Sequence, residues 1–135
     1  MDKNEKVHIN TVNDYEDHKD EQTNVYQGSY SAVNGKIFCI YDDEECRNTI
    51  KIDKDKVHLS RKSSRYGSTM FFVGGEESTS CHTFEGTSMT MNIMTKKLDV
   101  AVIENRIDID ISYTLSMDDM TVSENRVKIC ITEWR

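Results

Sequence analysis

Proline is absent from the whole chain. It has no amide donor for a β-ladder and is one of the devices that blunt an exposed sheet edge. A β-rich chain without it must protect its edges by other means, and closing the sheet into a barrel removes them. Close cysteine pairs are also missing: Cys39, Cys46, Cys81 and Cys130 form no C-x-x-C. Zinc sites usually bring their ligands in such pairs, so the expectation is four free thiols, no metal and a reducing cytoplasm. The N-terminus, Met1-Asp2-Lys3-Asn4-Glu5-Lys6, lacks the apolar segment of a secretory signal, and no later run has the hydrophobicity of a membrane span. P-loop, G-x-G-x-x-G, G-x-S-x-G and H-E-x-x-H motifs are missing, which leaves no basis for a nucleotide, a cofactor or a catalytic metal. Positive charge is scarce. Lysine and arginine total 17 against 24 acids, for a net charge of −7, which argues against nucleic acid or an anionic membrane as a partner.

What the chain does have is β grammar. Hydrophobic residues make up 36% and charged residues 30%, a balance that suits strands showing one face to water. The organising stretch runs from Tyr26 to Lys62, where Asn34-Gly35 separates two β-rich runs. Asn-Gly there signals a hairpin, because a type I′ turn needs two successive residues at positive φ. Residues 1–5 are expected to be a frayed tail, Lys6–Asn13 a first strand, and Asp14–Glu21 an acidic, solvated loop. Thr23–Val33 is the second strand, with Gly28 marking a bulge or bend. Lys36–Tyr41, Asn48–Ile52, Lys56–Ser60, Thr69–Val73 and Ser78–Phe84 follow, separated by turns. Met89, Met91 and Ile93 alternate with polar residues, and Leu98, Val100 and Val102 carry the pattern past Lys96-Lys97; short helical turns near Lys96–Ile103 are the competing reading. Arg106–Leu115 alternates most cleanly, with Asp108 and Asp110 opposite the apolar stripe. In the last strand, Thr121–Thr132, Val122 is out of phase with Val127, Ile129 and Ile131, so a bulge is expected near Glu124-Asn125.

These runs predict one all-β domain over residues 1–135. The expected architecture is an antiparallel, closed or nearly closed barrel of about eight to ten strands. Several short motifs follow one another along the chain: Gly28-Ser29-Tyr30, Ile40-Tyr41-Asp42-Asp43-Glu44, Thr49-Ile50-Lys51-Ile52, Val57-His58-Leu59-Ser60-Arg61, Cys81-His82-Thr83-Phe84-Glu85-Gly86, Met94-Thr95-Lys96-Lys97-Leu98 and Ile109-Asp110-Ile111-Ser112-Tyr113. Their order and spacing resemble the YwiB-like family of small bacterial proteins. The resemblance implies a lipocalin-like (calycin) barrel and brings no established activity.

The chemistry is sparse. Cys81-His82 places a nucleophile type beside a base type, yet neighbouring strand residues point to opposite faces and cannot meet. Asp108 and Asp110 are read as solvated, and the methionines as core filling that could also line an adaptable cavity. Arg61 stands among apolar strand residues; inside a barrel, paired with a carboxylate such as Glu44, it could anchor an anionic group. The sequence therefore predicts a non-catalytic binder of a small, partly apolar or amphipathic ligand, lined by Tyr30, Tyr41, Arg61, Phe72, Met89, Met91 and Tyr113. The alternative is a protein-interaction module whose barrel is filled by its own side chains.

Overall fold

The computed structural model describes residues 5–104 and 106–133. Its strands are β1 (Glu5–Asp14), β2 (Lys19–Val33), β3 (Lys36–Asp42), β4 (Arg47–Asp53), β5 (Lys56–Lys62), β6 (Tyr66–Val73), β7 (Glu77–Phe84), β8 (Thr87–Ile103), β9 (Arg106–Met117) and β10 (Met120–Glu133). Each runs antiparallel to its neighbours in sequence, and β10 pairs with β1 to close the barrel. Among the described residues no helix is long and apolar enough to cross a membrane. Of the expected tail, residues 1–4 lie outside the described residues, and Glu5 already pairs within β1.

Turn chemistry explains the tight connections. Asn34 and Gly35 take φ of 53° and 79°, the pair of positive values that a two-residue hairpin turn demands. Asp118 and Asp119 do the same between β9 and β10, at 53° and 63°. Aspartate tolerates this region better than most residues.

The barrel interior is set by period-two alternation. Ile107, Ile109, Ile111 and Tyr113 of β9 meet Val127, Ile129 and Ile131 of β10, and Val7 joins them from β1. From the other side come Cys39, Ile50, Ile52, Val57, Phe72 and Ile93. Fully burying one such large apolar side chain stabilises the fold by roughly 1.5–3 kcal/mol.

Three local expectations are corrected, and one competing reading falls away. The acidic stretch is mostly strand: β1 runs to Asp14 and β2 begins at Lys19, paired with it, so only residues 15–18 form the loop. The register sets Asp14 opposite Lys19, and Asn10 donates across the strands to Glu21 and Thr23. Gly28 is not a bulge, since its register is continuous with both β1 and β3. It is the residue at which β2 contacts both partners, and a Cβ there would lie 2.9 Å from the Ile40 carbonyl oxygen and 3.1 Å from a Val7 methyl. The bulge in β10 falls at Val122, between Thr121 and Ser123, instead of at Glu124-Asn125. Residues 96–103 are strand with no helical turn, and an extra residue, Lys96, bulges between Thr95 and Lys97.

Candidate functional site

The residues expected to line a cavity face the barrel interior in successive layers. Tyr41, Asn48, Arg61, Ser68, His82 and Met89 stand opposite one another from β3 to β8, one layer at the mouth. The next layer runs from Tyr30 through Cys39, Ile50, Leu59, Met70 and Ser80 to Met91. Phe72 is deeper and fully buried, with its ring 4.9 Å from that of buried Tyr113. The structure therefore sets Tyr41, Arg61 and Met89 at one level of the barrel and Phe72 and Tyr113 at another. Met89 is 42% exposed at the rim. Burial pushes the Tyr113 phenol up to about 12 and raises that of Tyr41 further.

Arg61 does pair with a carboxylate, but with Asp43 and not Glu44. Its Nη2 donates to Asp43 Oδ2 at 2.8 Å and its Nε to Asn48 Oδ1 at 3.1 Å. Asn48 also donates to Asp43, at 3.0 Å, and the backbone amides of Glu45 and Cys46 donate to the other carboxylate oxygen. Burial alone would raise the Asp43 carboxyl; the hydrogen bonds from Asn48, the two amides and Arg61 outweigh it and hold the group far below the usual range. The cluster braces the β3–β4 turn, with the Arg61 guanidinium over the Tyr66 ring at 5.6 Å.

A concavity lies outside the barrel. A groove of about 470 Å³ crosses the outer faces of β2, β1, β10, β9 and β8. At about 4.8 Å between strands it spans roughly 19 Å. Ala101 and the backbone of Ile9, Ile109 and Ile129, whose side chains face the barrel core, contribute to its lining. One row of side chains sets His8 opposite Cys130 and Cys130 opposite Asp108; the next sets Asn10 opposite Lys128 and Lys128 opposite Asp110.

Most of the charge in this groove is already committed. Both oxygens of Asp108 accept from Arg106 Nε at 3.0 Å. Asp110 accepts a two-point contact from Arg126, at 3.1 and 2.8 Å. Lys97 lies 3.5 Å from both Asp99 and Asp110. Arg106 and Arg126 hold the Asp108 and Asp110 carboxyls below the usual range. Burial, then the nearby Asp108 carboxylate, pushes the Cys130 thiol up. The groove thus sets two arginine-paired carboxylates beside a thiol whose ionisation is disfavoured. Among the described residues no group of three or more His, Cys, Asp or Glu side chains is placed to hold a metal ion.

The family described as Domain of unknown function (DUF1934) matches residues 7–129. The chain belongs to the DUF1934 family. The crystal structure of ywiB protein from Bacillus subtilis matches this DUF1934 chain with a TM-score of 0.85 at 16% identity, over 97% of this chain and 92% of that one. At that identity the likeness speaks for the fold alone. No curated protein matches the chain. In this DUF1934 barrel none of the residues read from sequence as a ligand lining borders the larger groove, and Tyr113 borders a smaller one of about 250 Å³. The groove residues carried a weaker signal: charged side chains at alternate positions on the outward faces of β9 and β10. That signal becomes a site only when the register sets Asp108 and Asp110 beside Cys130 and Lys128.

Proposed function

We propose that this chain is a cytoplasmic, non-catalytic binding protein that takes a small, partly apolar ligand in the outer groove. The observation that carries the reading is the groove itself. Its volume of about 470 Å³ falls within the roughly 300–1,000 Å³ usual for small-molecule sites, and it combines aliphatic carbon with convergent polar heads. The commitment of Asp108 and Asp110 to arginines supports a non-catalytic role, because neither is free for proton transfer near neutral pH. The free state of all four cysteines agrees with a reducing compartment. The net charge of −7 supports a reading without nucleic acid or membrane partners.

A second reading, a protein-interaction module, is favoured by the filled waist of the barrel, where Phe72 and Tyr113 pack ring against ring. Native mass spectrometry of the gently purified chain separates the two. The binder reading expects an excess mass that leaves on denaturing extraction and is lost in Ala101→Trp, whose indole fills the groove from an exposed position. A bare polypeptide mass, with no shift on adding fatty acids or other apolar ligands, would sink it in favour of the interaction module.

A further inference from the structure

Of the cations that line the outer groove, one is uncommitted. The groove's carboxylates Asp99, Asp108 and Asp110 are matched by Lys97, Arg106 and Arg126. Lys128, exposed and on the same row as Asp110, makes no hydrogen bond or ion pair with any described residue. The His8 imidazole, one row away, also makes no hydrogen bond with a described residue. Asn10 spends its amide hydrogens on Thr23 at 2.7 Å and Glu21 at 3.3 Å. Asp108 and Asp110 each already accept from an arginine through both oxygens. The hydrogen-bonding capacity that remains uncommitted therefore centres on the Lys128 ammonium, beside a lining of aliphatic carbon.

We infer that the groove selects a small monoanion, a carboxylate carrying a short apolar body, with Lys128 as its charge partner. This rests on the reading of the groove as a ligand site and gives that ligand a class. A cationic ligand would meet an ammonium with no carboxylate free to receive it. A ligand with two or more negative charges would find one cation available and Asp99 and Asp110 nearby. The monoanion matches the one uncommitted ammonium, and its apolar part lies along Ala101 and the backbone of Ile9, Ile109 and Ile129.

Backbone amide NMR of the isotope-labelled full chain, titrated with hexanoate, hexanol and hexylamine, tests the inference. The expected result is saturable movement of the His8, Asn10, Lys128 and Ile129 amides with hexanoate, and clearly weaker movement with the other two. In Lys128→Ala, hexanoate affinity should fall about tenfold, the cost of one charge-assisted contact. Lys128 is exposed, so the variant should retain the wild-type spectrum elsewhere. Equal or stronger binding of hexanol or hexylamine at the same amides would overturn the monoanion class while leaving the groove a ligand site. No movement of these amides with any of the three would overturn both. Full hexanoate affinity in Lys128→Ala would remove Lys128 from the role assigned to it.

Discussion

Gly28 shows what one residue can impose on a closed sheet. It faces Glu5 on one side and Tyr41 on the other, at the point where β2 contacts both β1 and β3. A methyl group there would lie 2.9 Å from the Ile40 carbonyl oxygen and 3.3 Å from the Tyr41 Cβ, both on the strand beside it. Backbone oxygen cannot rotate away as a long side chain can. Gly28→Ala should therefore force β2 and β3 apart and cost about 1–3 kcal/mol, read from the urea midpoint; an unchanged midpoint would mean that the close approach is not a constraint. The sequence marked this glycine as unusual but not why, because the crowding comes from strands distant in the chain. Arg61 is a similar case. Its inward position and its carboxylate partner were legible, but the choice of Asp43 over Glu44 depends on the β3–β4 turn, where the Asp43 carboxylate also receives the Glu45 and Cys46 amides.

Strands were the most legible elements, because period two separates inward from outward residues without reference to any partner. The phase of β8 held more information than a simple continuation of the pattern. Inward positions are odd through Met89, Met91, Ile93 and Thr95, then even at Leu98, Val100 and Val102. A switch of parity within one strand requires an extra residue, and Lys96 is that residue. The same logic located a bulge in β10 but placed it beyond Val122, since polar Ser123 and Asn125 gave no hint that both are buried. Deletion tests the argument at this scale. Removing Lys96 restores strict alternation, so the variant should still fold cooperatively, weakened by the lost bend and the lost Lys96–Glu124 pair. Removing Asp110 from the regular strand β9 would turn one half of its isoleucines toward water and should abolish cooperative urea unfolding. If circular dichroism and urea titration found the two deletions equally harmful, Lys96 would not be acting as a bulge.

Closure makes the whole molecule respond to pH as one unit, because no strand edge can open separately. Its titrating groups act mostly in one direction on the acid side. Asp43, Asp108 and Asp110 have carboxyls held below their unfolded value of about 3.9. The stability they contribute is present above that value and is lost as pH falls through their lower folded values. Burial depresses His58, with Lys51 adding to the effect, and depresses His82. Below about pH 6.5 the unfolded chain takes up those protons first, so stability declines there as well. His18, raised by its contact with Asp17, opposes this, but from an exposed loop where solvent screens it. On the alkaline side the Tyr113 phenol, pushed up to about 12 by burial, and the Tyr41 phenol, raised further, favour the protonated form. Their contribution is complete below the unfolded tyrosine value of about 10 and is lost as pH rises toward the folded values. The raised Cys130 thiol begins the alkaline loss earlier, above its unfolded value of about 8.5. Urea midpoints measured from pH 3 to 11 should thus form a plateau between about 6.5 and 8.5, with a decline on both sides. Replacing both His58 and His82 with glutamine should flatten the decline between about pH 5 and 6.5 and leave the alkaline limb unchanged. A midpoint that rises between pH 7 and 5 would mean that His18 outweighs the two histidines on the barrel strands, and that their partial burial does not govern the response.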